Sequence, residues 1–129
     1  MNTLTFALIV AAGAAALHVF IFVLETLMWQ SLLARKTFGM TEEKATTTKE
    51  MAANQGVYNL LLAVEVLAGI IAVVVGQSTI GLALIVAGCG SMLIAATYLA
   101  STSPDKRMAA LKQGALPFIA LLLVAFVFM

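Results

Sequence analysis

The stretch Leu17-His18-Val19-Phe20-Ile21-Phe22-Val23-Leu24-Glu25-Thr26-Leu27-Met28-Trp29 decides how this chain is read. It lies inside an apolar run from Leu4 to Leu33, long enough to cross a bilayer, yet it carries a histidine and a carboxylate seven residues apart. Seven residues make about two helical turns, so His18 and Glu25 share one side of a helix, and Phe22 and Trp29 continue the line. Ionisable groups within an apolar span turn toward other helices or a wet cavity, because facing lipid is costly.

The rest of the chain has the composition of a membrane protein. Its 129 residues are 63% hydrophobic and 10% charged, with a mean hydropathy of +1.09, too apolar for a soluble domain of this size. A crossing needs roughly 20 apolar residues. Four stretches qualify: Leu4 to Leu33, Asn54 to Val75, Thr79 to Ala100 and Leu111 to Met129. The expected fold is therefore all-α, a single four-helix antiparallel transmembrane bundle over residues 1–129, with helices at about 4–33, 50–75, 79–101 and 104–129. No basic residue precedes the first stretch, and it exceeds the usual signal-peptide core of about 7–15 residues, so it is expected to be retained. The single Cys89 permits no intramolecular disulfide and reads as a packing residue.

Charge placement orients the bundle. Arg35, Lys36, Lys44 and Lys49 lie between the first and second spans, and Lys106, Arg107 and Lys112 between the third and fourth, so all seven basic residues fall on one side. The positive-inside tendency then predicts a multi-pass protein of the cell inner (plasma) membrane with both loops cytoplasmic and both termini outside. Nothing basic enough for nucleic acid as a partner appears, and the net charge of +1 says little by itself.

Local signals mark the boundaries. Gly39 suits a helix stop, and Thr47-Thr48-Lys49-Glu50 matches a capping box that would begin the second helix in water. Gly76-Gln77-Ser78 is short enough to force an antiparallel hairpin. Ala83, Ala87, Ser91 and Ala95, with Gly81, Gly88 and Gly90, read as a small-residue seam for close packing, as do Gly13 and its flanking alanines. Ser103 is placed to cap the fourth helix, Pro104 suits its first turn, and Pro117 removes the backbone bond to the carbonyl of Gln113.

Since consecutive spans run in opposite directions, residues are matched by depth. From the basic side inward, the first span offers Glu25 and then His18, and the second offers Asn54, Gln55, Tyr58 and Asn59, then Glu65. Thr97, Tyr98 and Gln113 approach at the shallower level. A purely structural reading pairs His18 with Glu65 and Glu25 with Asn59 or Tyr58, to fix helix register. Interhelical hydrogen bonds average only about 0.6 kcal/mol, which offsets little of the cost of burying so many polar groups. A functional pocket is the preferred reading, with His18 and Glu25 as candidate proton carriers and Phe22, Trp29, Asn54, Gln55, Tyr58, Asn59, Glu65, Thr97 and Gln113 as candidate ligand contacts. Trp29 also suits an interfacial anchor. His18, Glu25 and Glu65 have metal-ligating side chains, but their spacing matches no motif, so neither a metal nor a cofactor is expected.

The pattern His18-x-x-x-Phe22-x-x-Glu25-x-x-x-Trp29, then Asn54-Gln55-Gly56-Val57-Tyr58-Asn59, then Thr97 and Gln113-x-x-x-Pro117, resembles the small bacterial membrane proteins grouped as domain of unknown function 1304. The resemblance covers almost the whole chain and implies a four-helix membrane protein without implying an activity. Glu65 and Cys89 have no counterpart in that pattern.

Three functions compete at this point. The first is a site for a small amphipathic or lipid-like molecule, its head held by Asn54, Asn59 and Gln113 and its tail admitted by the taper of the first and third spans. The second is a small proton-coupled transporter, and the third a structural subunit or assembly factor. Whether a reaction is catalysed is open. Candidate partners are the lipid bilayer, a small amphipathic ligand and a second copy of the chain.

Overall fold

The computed structural model describes residues 1–129 and is built from helices throughout. Helix α1, Thr3–Phe22, starts at Asn2, whose Oδ1 accepts from the backbone N–H and the hydroxyl of Thr5, each at 2.9 Å. It runs on into a π-helical turn, Val23–Leu27, and the chain then leaves helical geometry through Met28–Ser31. A short helix α2, Leu32–Phe38, follows, capped by Ser31 and stopped at Gly39 with φ 63°.

The expected unbroken helix over 4–33 is thus two helices with a break between them. Leu27, Met28, Leu32 and Leu33 continue the apolar run through the break, and all four are exposed. Hydropathy records which solvent a segment prefers and is blind to its backbone hydrogen-bond pattern.

Helix α3, Glu42–Val74, is 33 residues long, about 50 Å at 1.5 Å per residue, and so outreaches a hydrocarbon core of about 30 Å. It starts earlier than the 50 expected from the capping box. Thr41 accepts from the N–H of Lys44 at 3.2 Å, and Glu42 and Glu43 place negative charge in the first turn, where the helix dipole favours it. The helix is already under way at Thr47 and Thr48, whose hydroxyls donate back to the Lys44 carbonyl.

Gly76, with φ 90°, turns the chain into helix α4, Ser78–Thr102. A 3-10 turn, Pro104–Lys106, leads to helix α5, Arg107–Val127. Pro104 occupies the first position of that turn, but Ser103 makes no capping bond with its side chain. The helix continues through the buried Pro117.

The four long helices have the length and hydropathy of membrane spans. They form a ring in which α1 packs on α3 and α5, α4 packs on the same two, and the diagonal pair α1 and α4 barely touch. At the hairpin end α3 and α4 lie backbone to backbone, since a Cβ on Gly69 would come within 2.7 Å of the Gly81 carbonyl oxygen. The α4 seam is Gly81, Ile85, Gly88 and Met92, all buried, whereas Ala83, Ala87, Ser91 and Ala95 are exposed. Steps of four alone drift around a helix by about 40° each, while alternating fours and threes stay on one side.

In the half of the bundle nearer the termini, Ala7, Ala11 and Ala14 of α1 meet Ala63 and Val66 of α3, Ile85 and Cys89 of α4, and Ala120 and Val124 of α5. The alanines let α1 sit close to its neighbours there.

Candidate functional site: a polar cavity at the basic-loop end

Above the alanine core the helices no longer fill the space they enclose. A cavity of about 440 Å³ opens toward the basic loops, walled by side chains from α1, α3, α4 and α5. Its polar wall is made by His18 and Glu25 from the α1 segment, Gln55 and Asn59 from α3, and Gln113 from α5.

Glu25 reaches this space because of two local features. The π turn inserts a residue into the helix and resets the phase of everything after it. Gly56 then allows α3 to lie directly on that turn: a Cβ there would collide with the Thr26 hydroxyl and stand 3.0 Å from the Glu25 Cβ. One turn further along α3, Asn59 faces Glu25 and donates from Nδ2 to Oε2 at 2.7 Å. Glu25 is only 8% exposed, and its other carboxylate oxygen has no protein partner.

His18 is 2% exposed, with Nδ1 2.9 Å from the carbonyl oxygen of Ala14. A carbonyl only accepts, so Nδ1 carries the proton and Nε2 of the neutral ring is left as an acceptor with no protein partner.

The break after α1 is held to the protruding start of α3. Thr26 donates to the Ala53 carbonyl at 3.0 Å, the Trp29 indole donates to the Thr48 hydroxyl at 3.0 Å, and Gln30 donates to the Thr46 hydroxyl at 3.1 Å. Trp29 also packs on Phe38 of α2, ring centroids 5.2 Å apart, and both rings line the cavity.

Of the residues singled out from the sequence, His18, Glu25, Trp29, Gln55, Asn59, Tyr98 and Gln113 share this cavity. The others lie elsewhere. Phe22 is half-buried off the cavity wall, Asn54 and Tyr58 are exposed on the outer side of α3, and Thr97 is exposed, its hydroxyl turned back to the Leu93 carbonyl. Neighbouring helical residues point about 100° apart, so with Asn59 inside Tyr58 must face out. Glu65, six residues beyond Asn59, falls on the far side of α3, half-buried and without a hydrogen bond. The His18 to Glu65 pair is therefore not formed. No three of the His, Cys, Asp and Glu side chains gather as a metal site would require.

The structure adds wall residues that the sequence reading did not single out. Met92, Ala95, Leu99 and Thr102 come from one side of α4, and Ser103 and Lys106 from the loop after it. Lys106 is half-buried and is the one basic residue on the wall. Its place just past Ser103-Pro104, at the end of a span, was the available signal, but among seven basic residues it counted only toward orientation. Phe38 depends on α2 folding back, which nothing local announces.

A ring of four helices long and apolar enough to cross a membrane defines a small polytopic membrane protein. The chain belongs to the family described as "Protein of unknown function (DUF1304)", which matches residues 12–125 and so takes in every wall of the cavity. No curated protein and no solved structure matches it.

Proposed function

We propose that this membrane protein binds a small amphipathic molecule, holding its polar head in the cavity between the four helices. The observation that carries the reading is the pair of unpartnered acceptors on one wall, the second oxygen of Glu25 and Nε2 of His18. Both residues line the cavity, so separate hydroxyl or ammonium donors on a ligand's head could bond to each. Gln55, Gln113 and Lys106 add groups that can donate to the same head. Glu25 and His18 are also the groups placed to move a proton to or from it. With the basic loops cytoplasmic, the cavity opens to the cytoplasmic leaflet of a bacterial inner membrane.

Glu25→Gln tests this directly. The amide keeps the shape and one acceptor but removes the charge. Molecules retained after gentle detergent extraction are identified and counted by mass spectrometry, alongside the thermal stability of wild type and variant. Retention is expected to fall at least about tenfold, the loss of one charge-assisted hydrogen bond of about 1.5–3 kcal/mol, with stability nearly unchanged. Unchanged retention in a stable variant would reject the cavity as a binding site. Growth protection and dye efflux in expressing cells would instead favour proton-coupled transport.

A further inference from the structure

A second, apolar cleft of about 230 Å³ runs between α1 and α5, and it shares two wall residues, Phe38 and Gln113, with the polar cavity. From Leu24, next to Glu25, the cleft passes Ile21 and Phe20 and ends at Leu17, next to His18. Along α1 that is a descent of about 10 Å at 1.5 Å per residue, from the level of the carboxylate toward the middle of the span.

Resting on the cavity as the head-group site, we infer that the ligand is a single-chain amphiphile with a hydroxylated head, which enters between α1 and α5 past Phe38 and Gln113 and lays its chain in this cleft. The two unpartnered acceptors, about two turns apart along α1, take separate donors, and a head with several hydroxyls supplies them without adding charge. A single chain fits the cleft's small volume of about 230 Å³. Gln113 suits a threshold: its amide can turn to either space, and Pro117 leaves its backbone carbonyl without the usual helical N–H, so it can accept from a passing head group. Phe38 sits on a seven-residue helix joined to α1 by a non-helical segment, outside the four long helices.

The test uses 1-monoacylglycerols of increasing chain length, with affinity read by native mass spectrometry of the full chain released from nanodiscs of a two-chain phosphatidylcholine, so that no single-chain hydroxylated detergent competes. In wild type each added methylene is expected to tighten binding about fourfold, the factor equivalent to about 0.8 kcal/mol, until the chain fills the cleft and the gain stops. Leu17→Trp closes the deep end and should stop the gain at a shorter chain. Phe20→Trp, one turn shallower and half-exposed to lipid, should stop it shorter still, which keeps the test available if one variant does not fold. Glu25→Gln should weaken every member by a common factor.

If Glu25→Gln weakens the series but neither tryptophan changes where the gain stops, the head-group site stands and the chain lies elsewhere. If Glu25→Gln changes nothing while Lys112→Gln weakens binding, the cleft holds a lipid by an outer head group, and both readings fall. A gain that never levels off is simple partition into apolar surface and overturns the inference.

Discussion

Gly56 sets the position of the carboxylate. Its missing side chain lets α3 rest on the π turn, and a methyl group there would meet the Thr26 hydroxyl and backbone N and the Glu25 Cβ. Gly56→Ala should cost about 1–3 kcal/mol, typical of forcing an extra carbon into a packed contact, and should lengthen the Asn59 to Glu25 bond. Gly90 is the control, because a Cβ there meets nothing within 4 Å. Gly90→Ala should be neutral or stabilising by up to about 1 kcal/mol, since alanine is the better helix former. Thermal unfolding of both variants in one detergent checks the contrast. A Gly56→Ala protein as stable as Gly90→Ala would mean that the helix pair is looser than the structure shows.

At the scale of the element, the break after α1 persists because side chains replace the backbone bonds that it gives up. Trp29 and Gln30 donate to hydroxyls of Thr48 and Thr46 on the part of α3 that protrudes beyond the span. Trp29 is the only tryptophan, so its emission reports on this segment alone. Thr48→Val removes the acceptor and keeps the shape. It should cost about 1 kcal/mol, shift the tryptophan emission and speed amide exchange over residues 28–31. Thr46→Val acts at an exposed contact and should leave the emission as it is. Equal spectra for wild type and Thr48→Val would show that packing on Phe38 suffices. The Arg35 to Glu42 pair that spans the α2–α3 turn, 3.9 Å apart with Glu42 largely exposed, contributes little by comparison.

For the whole molecule, orientation decides which leaflet the cavity serves. The cavity and all seven basic residues are at the same end of the bundle, the end opposite the termini and the Gly76 turn. With Cys89 buried and silent, a cysteine introduced at Thr3 or Ser78 should label from outside intact cells with a membrane-impermeant maleimide, and one at Thr46 should label only after lysis. Labelling at Thr46 alone would turn the cavity toward the outer face. The ring arrangement also explains why one end is open. Alanines bring the helices together near the termini, whereas near the loops the longer side chains at Glu25, Asn59 and Gln113 leave room between them.

The sequence by itself determined the membrane character, the number of spans, the hairpin at Gly76 and the level along the bundle at which polar groups sit, because these follow from hydropathy and from a rise of 1.5 Å per residue. Depth also placed Glu25 level with Asn59, and the direct bond between them is found at 2.7 Å. Which way each side chain turns around its helix was decided by the tertiary structure. His18 and Glu65 lie near one depth but on unrelated sides, and the small-residue seam of α4 runs through Gly81 and Gly88 instead of Ala83 and Ala87. The π turn and the break at Met28–Ser31 were likewise invisible in an unbroken apolar run. They depend on Gly56, Thr48 and Thr46, residues between 16 and 34 positions away in the chain from their partners or from the partners' neighbours. A pattern read along one helix carries depth and period. The rotation of that helix is settled only when another backbone packs against it.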